Sequence, residues 1–164
     1  VYLATFATVN NTRCNKIYFL GSTESKVSGG NYHYLRGVSK LARIFKEVEP
    51  DIINAHFSYS MGLIALLAKN RSKVNSEFSV VCHGSDVLAP PNSYVFDKLN
   101  RYILNNANKV FVVSDQIKDK VESLQVDVDK IFVGQYGVDV LASDPKKDID
   151  IVSNRAYNLS LIHI

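Results

Sequence analysis

Four segments of the chain carry residue types able to do chemistry, and each follows a short apolar run of strand character. His56 is followed by Ser58, Tyr59, Ser60 and Gly62, and His83-Gly84-Ser85-Asp86 follows a second run. Ser114 and Asp115 follow a third, and Gly134-Gln135-Tyr136-Gly137-Val138-Asp139 follows a fourth. An imidazole, with an unperturbed pKa near ~6.5, can donate a hydrogen bond to a sugar hydroxyl or a phosphate. Gly84 and Gly137 let the backbone come close to a ligand and expose amide groups to an anion. Glycine, serine and aspartate also serve turn chemistry alone. It is their recurrence at four strand ends that marks this edge as a candidate site.

Other chemistries fit less well. His83, Ser85 and Asp86 are the residue types of a hydrolase triad, but they lie too close in sequence and no G-x-S-x-G elbow accompanies them. His56 and His83 lack a third ligand at a zinc-binding spacing, so no metal is expected. A dinucleotide loop needs G-x-G-x-x-G after a strand, and the chain offers only Gly29-Gly30. There is no Walker motif, and no cofactor is expected.

Positioning these residues requires strands that end together. Strands are expected at 1–6, 16–20, 51–55, 78–82, 109–113 and 130–133, with helices near 33–48, 60–70, 93–106 and 115–124. The runs 51–55 and 78–82 are almost wholly apolar past their first residues, as in strands buried on both faces. Leu35, Val38, Leu41, Ala42 and Phe45 form the i, i+3, i+4 stripe of a core-facing helix, which Pro50 ends. Val95, Phe96, Leu99, Tyr102 and Ile103 form a similar stripe, with Asn92 or Ser93 able to cap it, and Ser114 or Asp115 can cap the last helix. Strand–helix–strand alternation implies an α/β, Rossmann-like, mostly parallel sheet with helices on both faces. Ligands of such sheets bind where the strands' carboxyl ends meet helix N-termini.

At 164 residues, 46% apolar and 21% charged, the chain suits one globular domain and excludes disorder and low complexity. Its longest apolar run, 63–68, is far short of the ~20 residues of a membrane span. A formal charge of +3 is too small and too dispersed for a nucleic-acid binder. Cys14 and Cys82 show no paired spacing, and no basic-then-apolar leader opens the chain, so a cytoplasmic location is expected. Both ends read as cut. Residues 1–142 form the expected domain, and 143–158, with Pro145 among charges, read as a linker and the start of a further domain. Residues 159–164 match the translation of a sequencing adaptor and are set aside, so His163 receives no role.

The order of motifs is specific. Pro50-Asp51-Ile52-Ile53-Asn54-Ala55-His56 precedes Gly62-Leu63, then His83-Gly84-Ser85-Asp86, then Ala107-Asn108-Lys109-Val110-Phe111-Val112-Val113-Ser114, then Tyr136-Gly137-Val138-Asp139. This order, from about Val1 to Leu141, resembles the N-terminal domain of family 4 glycosyltransferases, retaining enzymes of the GT-B fold. The resemblance implies one of two Rossmann-like domains facing each other across a cleft. It also implies transfer of a sugar from a nucleotide-diphosphate donor to a polysaccharide or lipid-linked acceptor without a required metal. It places His83 near the donor sugar as the catalytic residue, with Gly84, Ser85 and Asp86 shaping its loop. His56, Ser114 and Gly137 then border the cleft. Tyr136 stands where the family often has asparagine. The family's first strand, its phosphate-approaching glycine loop and its nucleotide-gripping C-terminal domain are expected to lie outside this chain. The fragment alone is therefore expected to be inactive. Arg36, Lys40 and Arg43 form a short basic stripe for which a solvated face outweighs a peripheral lipid contact. The alternatives are a nucleotide-sugar epimerase of the same architecture, for which no carboxylate constellation speaks, and a non-catalytic sugar-binding module.

Overall fold

A computed structural model describes residues 1–5, 15–20, 32–88, 94–134 and 161–163, with backbone alone at 32–36 and 161–163. Gly137, Tyr136 and Asp139, the cap candidates Asn92 and Ser93, the Arg36 side chain, Cys14 and the 143–158 segment lie outside the described residues.

The expected strands form, within about a residue of their expected limits. They are β1 (Tyr2–Thr5), β2 (Lys16–Phe19), β3 (Ile52–His56), β4 (Glu77–Cys82), β5 (Lys109–Val112) and β6 (Ile131–Val133). The helices are α1 (Tyr32–Val48), α2 (Leu63–Ser72), α3 (Ser85–Leu88), α4 (Tyr94–Asn105) and α5 (Asp115–Ser123). A further strand, β7 (Leu161–His163), completes a seven-stranded sheet of order β2-β1-β7-β3-β4-β5-β6. β1 pairs with β2, β3 with β4, β4 with β5 and β5 with β6, all parallel. The fold is the α/β, Rossmann-like, mostly parallel arrangement expected from strand–helix alternation. β7 runs antiparallel between β1 and β3, and its three residues come from the segment set aside above. Ladder pairing uses only backbone N–H and C=O groups, so an extended tripeptide can join two strands whatever its side chains.

The core follows from the apolar patterning. β4 is the most enclosed strand, with Phe78, Val80 and Cys82 at 0% exposure and Ser79 and Val81 on the other face also buried. β3 differs from the expectation at its start. Ile53 and Ala55 are buried, but Ile52 is 55% exposed, because it sits at the first rung where the ladder meets solvent. α1 buries Leu41, Ala42, Ile44 and Phe45. Its chain turns at Glu49, in the left-handed region at φ 46°, immediately before Pro50. α2 buries Ile64, Ala65, Leu66 and Ala68 in succession, the composition of a helix enclosed on most sides.

α4 corrects the expected stripe. Phe96, Asn100, Ile103 and Leu104 face inward, whereas Val95 and Tyr102 are 73% and 47% exposed. An apolar count alone skips Asn100, which is fully buried on the inward face. At the start of β5, Asn108 clamps the ladder: its Oδ1 accepts from Phe78 N–H at 2.8 Å and its N–H donates to the Phe78 carbonyl at 2.7 Å. β3, β4 and β5 thus end at one edge in register.

Candidate functional site

In the β3–β4 ladder His56 stands opposite Val81, so the last residue of β3 and the residue after β4 emerge side by side. Their imidazoles meet. His56 Nδ1 lies 3.0 Å from His83 Nε2, and the rings meet edge to edge, 23° from coplanar, with centroids 5.2 Å apart. One proton between the two nitrogens makes this contact a hydrogen bond. The Phe57 ring lies against His83 with centroids 4.5 Å apart. To reach that position Phe57 takes φ 70°, a strained value for a bulky residue, costing of order 1–3 kcal/mol. The chain then makes a π-helical turn over Ser58–Gly62, closed by the Gly62 N–H donating to the Phe57 carbonyl at 2.8 Å. Such wide turns are frequent at functional corners. A Cβ at Gly62 would lie 3.1 Å from Ile103 Cγ2, so a side chain there requires Ile103 to give way by a few tenths of an ångström.

One buried carboxylate ties the two histidine loops together. Asp86 Oδ2 accepts from Ser58 N–H at 2.7 Å, and its Oδ1 accepts from His83 N–H at 3.0 Å and Gly84 N–H at 2.9 Å. From α4, Asn100 Nδ2 donates to the Asp86 carbonyl at 3.0 Å. Asp86 therefore holds the loop after β3 against the loop after β4.

Burial pushes the His83 pKa below its ordinary value, and the nearby Asp86 charge offsets this only in part. His83 is accordingly neutral at pH 7, with one ring nitrogen donating and one accepting. Burial first, and the Asp86 charge second, push the Cys82 thiol well above its usual range. Cys82 is thus a protonated core residue and not a nucleophile.

His56, His83, Gly84 and Asp86 come together. Ser85 is exposed at the first position of α3. Ser114 lies on the same edge, because Val112 pairs with Cys82, but its Oγ caps α5 by accepting from Ile117 N–H at 3.4 Å. Gly84 has φ 116°, where an L side chain is strained whatever the space around it. The nearest side-chain atoms to a Cβ there, Ile117 Cδ1 and Leu88 Cδ1, are 3.6 and 3.8 Å away. Gly84→Ala is therefore expected to lower stability by about 1–3 kcal/mol through backbone strain and not through a clash. Urea denaturation followed by circular dichroism measures this, and an unchanged midpoint would contradict it.

Among the described residues no group of three His, Cys, Asp or Glu side chains is placed to hold a metal ion. A cleft of about 590 Å³ lies at the opposite edge of the sheet, lined in part by Lys46, Asp51, Lys73 and Asn75. The strand ends that carry the histidines are remote from it. The sequence pairs His56 and His83 only as zinc ligands that lack a third, and does not reveal their direct contact or the parts of Phe57 and Asn100. Two adjacent parallel strands each delivering a histidine at the carboxyl end was the available signal for the pair.

The model of the family described as Glycosyltransferase Family 4 matches residues 7–140. The chain belongs to glycosyltransferase family 4. An uncharacterized glycosyltransferase of Methanocaldococcus jannaschii is 29% identical, over 77% of this chain and 42% of its own length. Among solved structures, a UDP-N-acetylglucosamine 2-epimerase superposes with a TM-score of 0.52 at 18% identity, covering 74% of this chain and 33% of its own. That likeness concerns the fold. This family 4 chain spans less than half the length of either relative. None of its described helices is long and apolar enough to cross a membrane.

Proposed function

We propose that this chain is the acceptor-side half of a retaining glycosyltransferase. It would move a hexosyl group from a nucleotide-diphosphate sugar to a polysaccharide or lipid-linked acceptor. The observation that carries this reading is the His56–His83 imidazole contact at neighbouring strand ends within a family 4 domain. His83 hydrogen-bonds the donor sugar and fixes its orientation as the anomeric carbon becomes cation-like. The depressed His83 pKa suits this role, since a neutral imidazole orients the sugar without repelling its developing positive charge. Asp86 and Gly84 set the loop, and Ser85 and Ser114 border the cleft. No metal is needed for positioning of this kind.

The nucleotide is held by a second domain facing this edge.

The test is release of nucleotide from a panel of nucleotide-diphosphate sugars in the presence of acceptor. The 164-residue chain alone is expected to release none, and the same chain joined to a C-terminal family 4 domain is expected to turn over one of them. Turnover by this chain alone, or silence of the two-domain protein across the panel, would overturn the reading.

A further inference from the structure

We propose that His56 is a positioning residue for His83: through the Nδ1···Nε2 contact it fixes where the His83 proton resides, so that the two rings act as one protonating unit. The functional meaning of this unit rests on the glycosyl-transfer reading above, but its existence does not.

The geometry carries the argument. At 3.0 Å, His56 Nδ1 and His83 Nε2 are within hydrogen-bond distance, and that bond needs one N–H and one lone pair. Whichever nitrogen holds the shared proton, the tautomers of the two rings are linked. If His83 Nε2 carries it, His56 must be protonated on Nε2; if His56 Nδ1 carries it, His83 must be protonated on Nδ1. Neither ring can choose its tautomer alone.

The rings cannot slide apart readily. Phe57 lies against His83 on a strained backbone, and Asp86 binds the N–H groups of His83, Gly84 and Ser58, so both loops are held to one carboxylate. The unit accepts one extra proton with the contact intact, because an imidazolium can still donate to the other ring's lone pair. A second proton would set two N–H groups face to face at 3.0 Å, with two positive charges adjacent. The groups facing His83 include the His56 ring from β3 and the Asp86 carboxylate from α3. Cys82, on β4, is held protonated and adds no charge. Asp86 favours the first added proton and does not remove the repulsion against the second. Two interacting sites of this kind titrate as a pair, in two macroscopic steps.

The experiment is nitrogen-15 NMR of the imidazoles in this 164-residue chain, across pH 4 to 8 on the order of physiological-range titrations. The wild type is expected to show two steps separated by more than about 1 pH unit, each visible in the shifts of both rings. In His56→Gln, His83 is expected to titrate in one step, with a changed ratio of its two tautomers. His56→Phe keeps an aromatic ring at the position but removes the nitrogen, and is expected to give the same single step. Independent single-step curves for the two histidines in the wild type would overturn the proposal without recourse to any variant. So would a His83 tautomer ratio unmoved by His56→Gln in a chain whose circular dichroism is unchanged. No donor sugar enters the measurement, so its failure is distinct from failure of the transfer reading.

Discussion

Asp86→Ala is expected to destabilise the domain by at least about 3 kcal/mol, because it leaves three backbone N–H groups without their acceptor, each costing about 1–3 kcal/mol when buried. The donors are those of Ser58, His83 and Gly84, and the carboxylate that serves them is only 6% exposed. For a domain of this size the melting temperature should fall by roughly 10 °C, at about 2–4 °C per kcal/mol. Asp86→Asn keeps one acceptor oxygen and should lose less than half as much. The loss is more than local. The same carboxylate joins the corner that carries His56 to the corner that carries His83, so the imidazoles should separate as the fold weakens. Thermal melts followed by circular dichroism read the effect. A loss below about 1 kcal/mol would show that the three N–H groups find other partners.

The second large effect concerns His83 in the two-domain enzyme. His83→Gln is expected to lower kcat about 100-fold, the usual scale for removing a group that orients and stabilises charge in a transition state. The acceptor KM should change little, because the side chain serves the reacting sugar. Steady-state kinetics alongside a melt separates the two ways of losing activity. The melt should stay close to wild type, since the N–H of residue 83 that Asp86 holds belongs to the backbone. A variant that folds normally and retains full kcat would remove His83 from the chemistry.

Much of this arrangement was legible in the sequence, for identifiable reasons. β3 and β4 announce themselves by runs such as Phe78–Cys82 that only a strand enclosed on two faces can use, and His56 and His83 stand where those runs stop. Ser114 was recognisable as a helix cap, and it caps α5. The limits were of two kinds. Burial of a polar residue follows from its partner, which local pattern does not reveal. Asn100 reads as surface until Asp86, fourteen positions away, supplies the carbonyl its amide needs. With Asn100 on the inward face beside Phe96, Ile103 and Leu104, Val95 and Tyr102 face outward, against the apolar count. Contacts across strands are the other kind. Nothing near Phe57 in sequence calls for a positive φ, and it is the His83 ring on the adjacent strand end that its own ring packs against. The backbone pairing of Leu161–His163 between β1 and β3 likewise could not be read from side-chain pattern, because ladder bonds do not depend on it.

We place sugar transfer at the edge where β3, β4 and β5 end. The most direct test of this placement is a crystal structure of the two-domain protein with a bound nucleotide-diphosphate sugar. The account predicts a ring nitrogen of His83 within about 3.2 Å of a hydroxyl of the donor sugar. A sugar seated instead in the cleft lined by Lys46, Asp51 and Lys73, at the other end of the sheet, would contradict it.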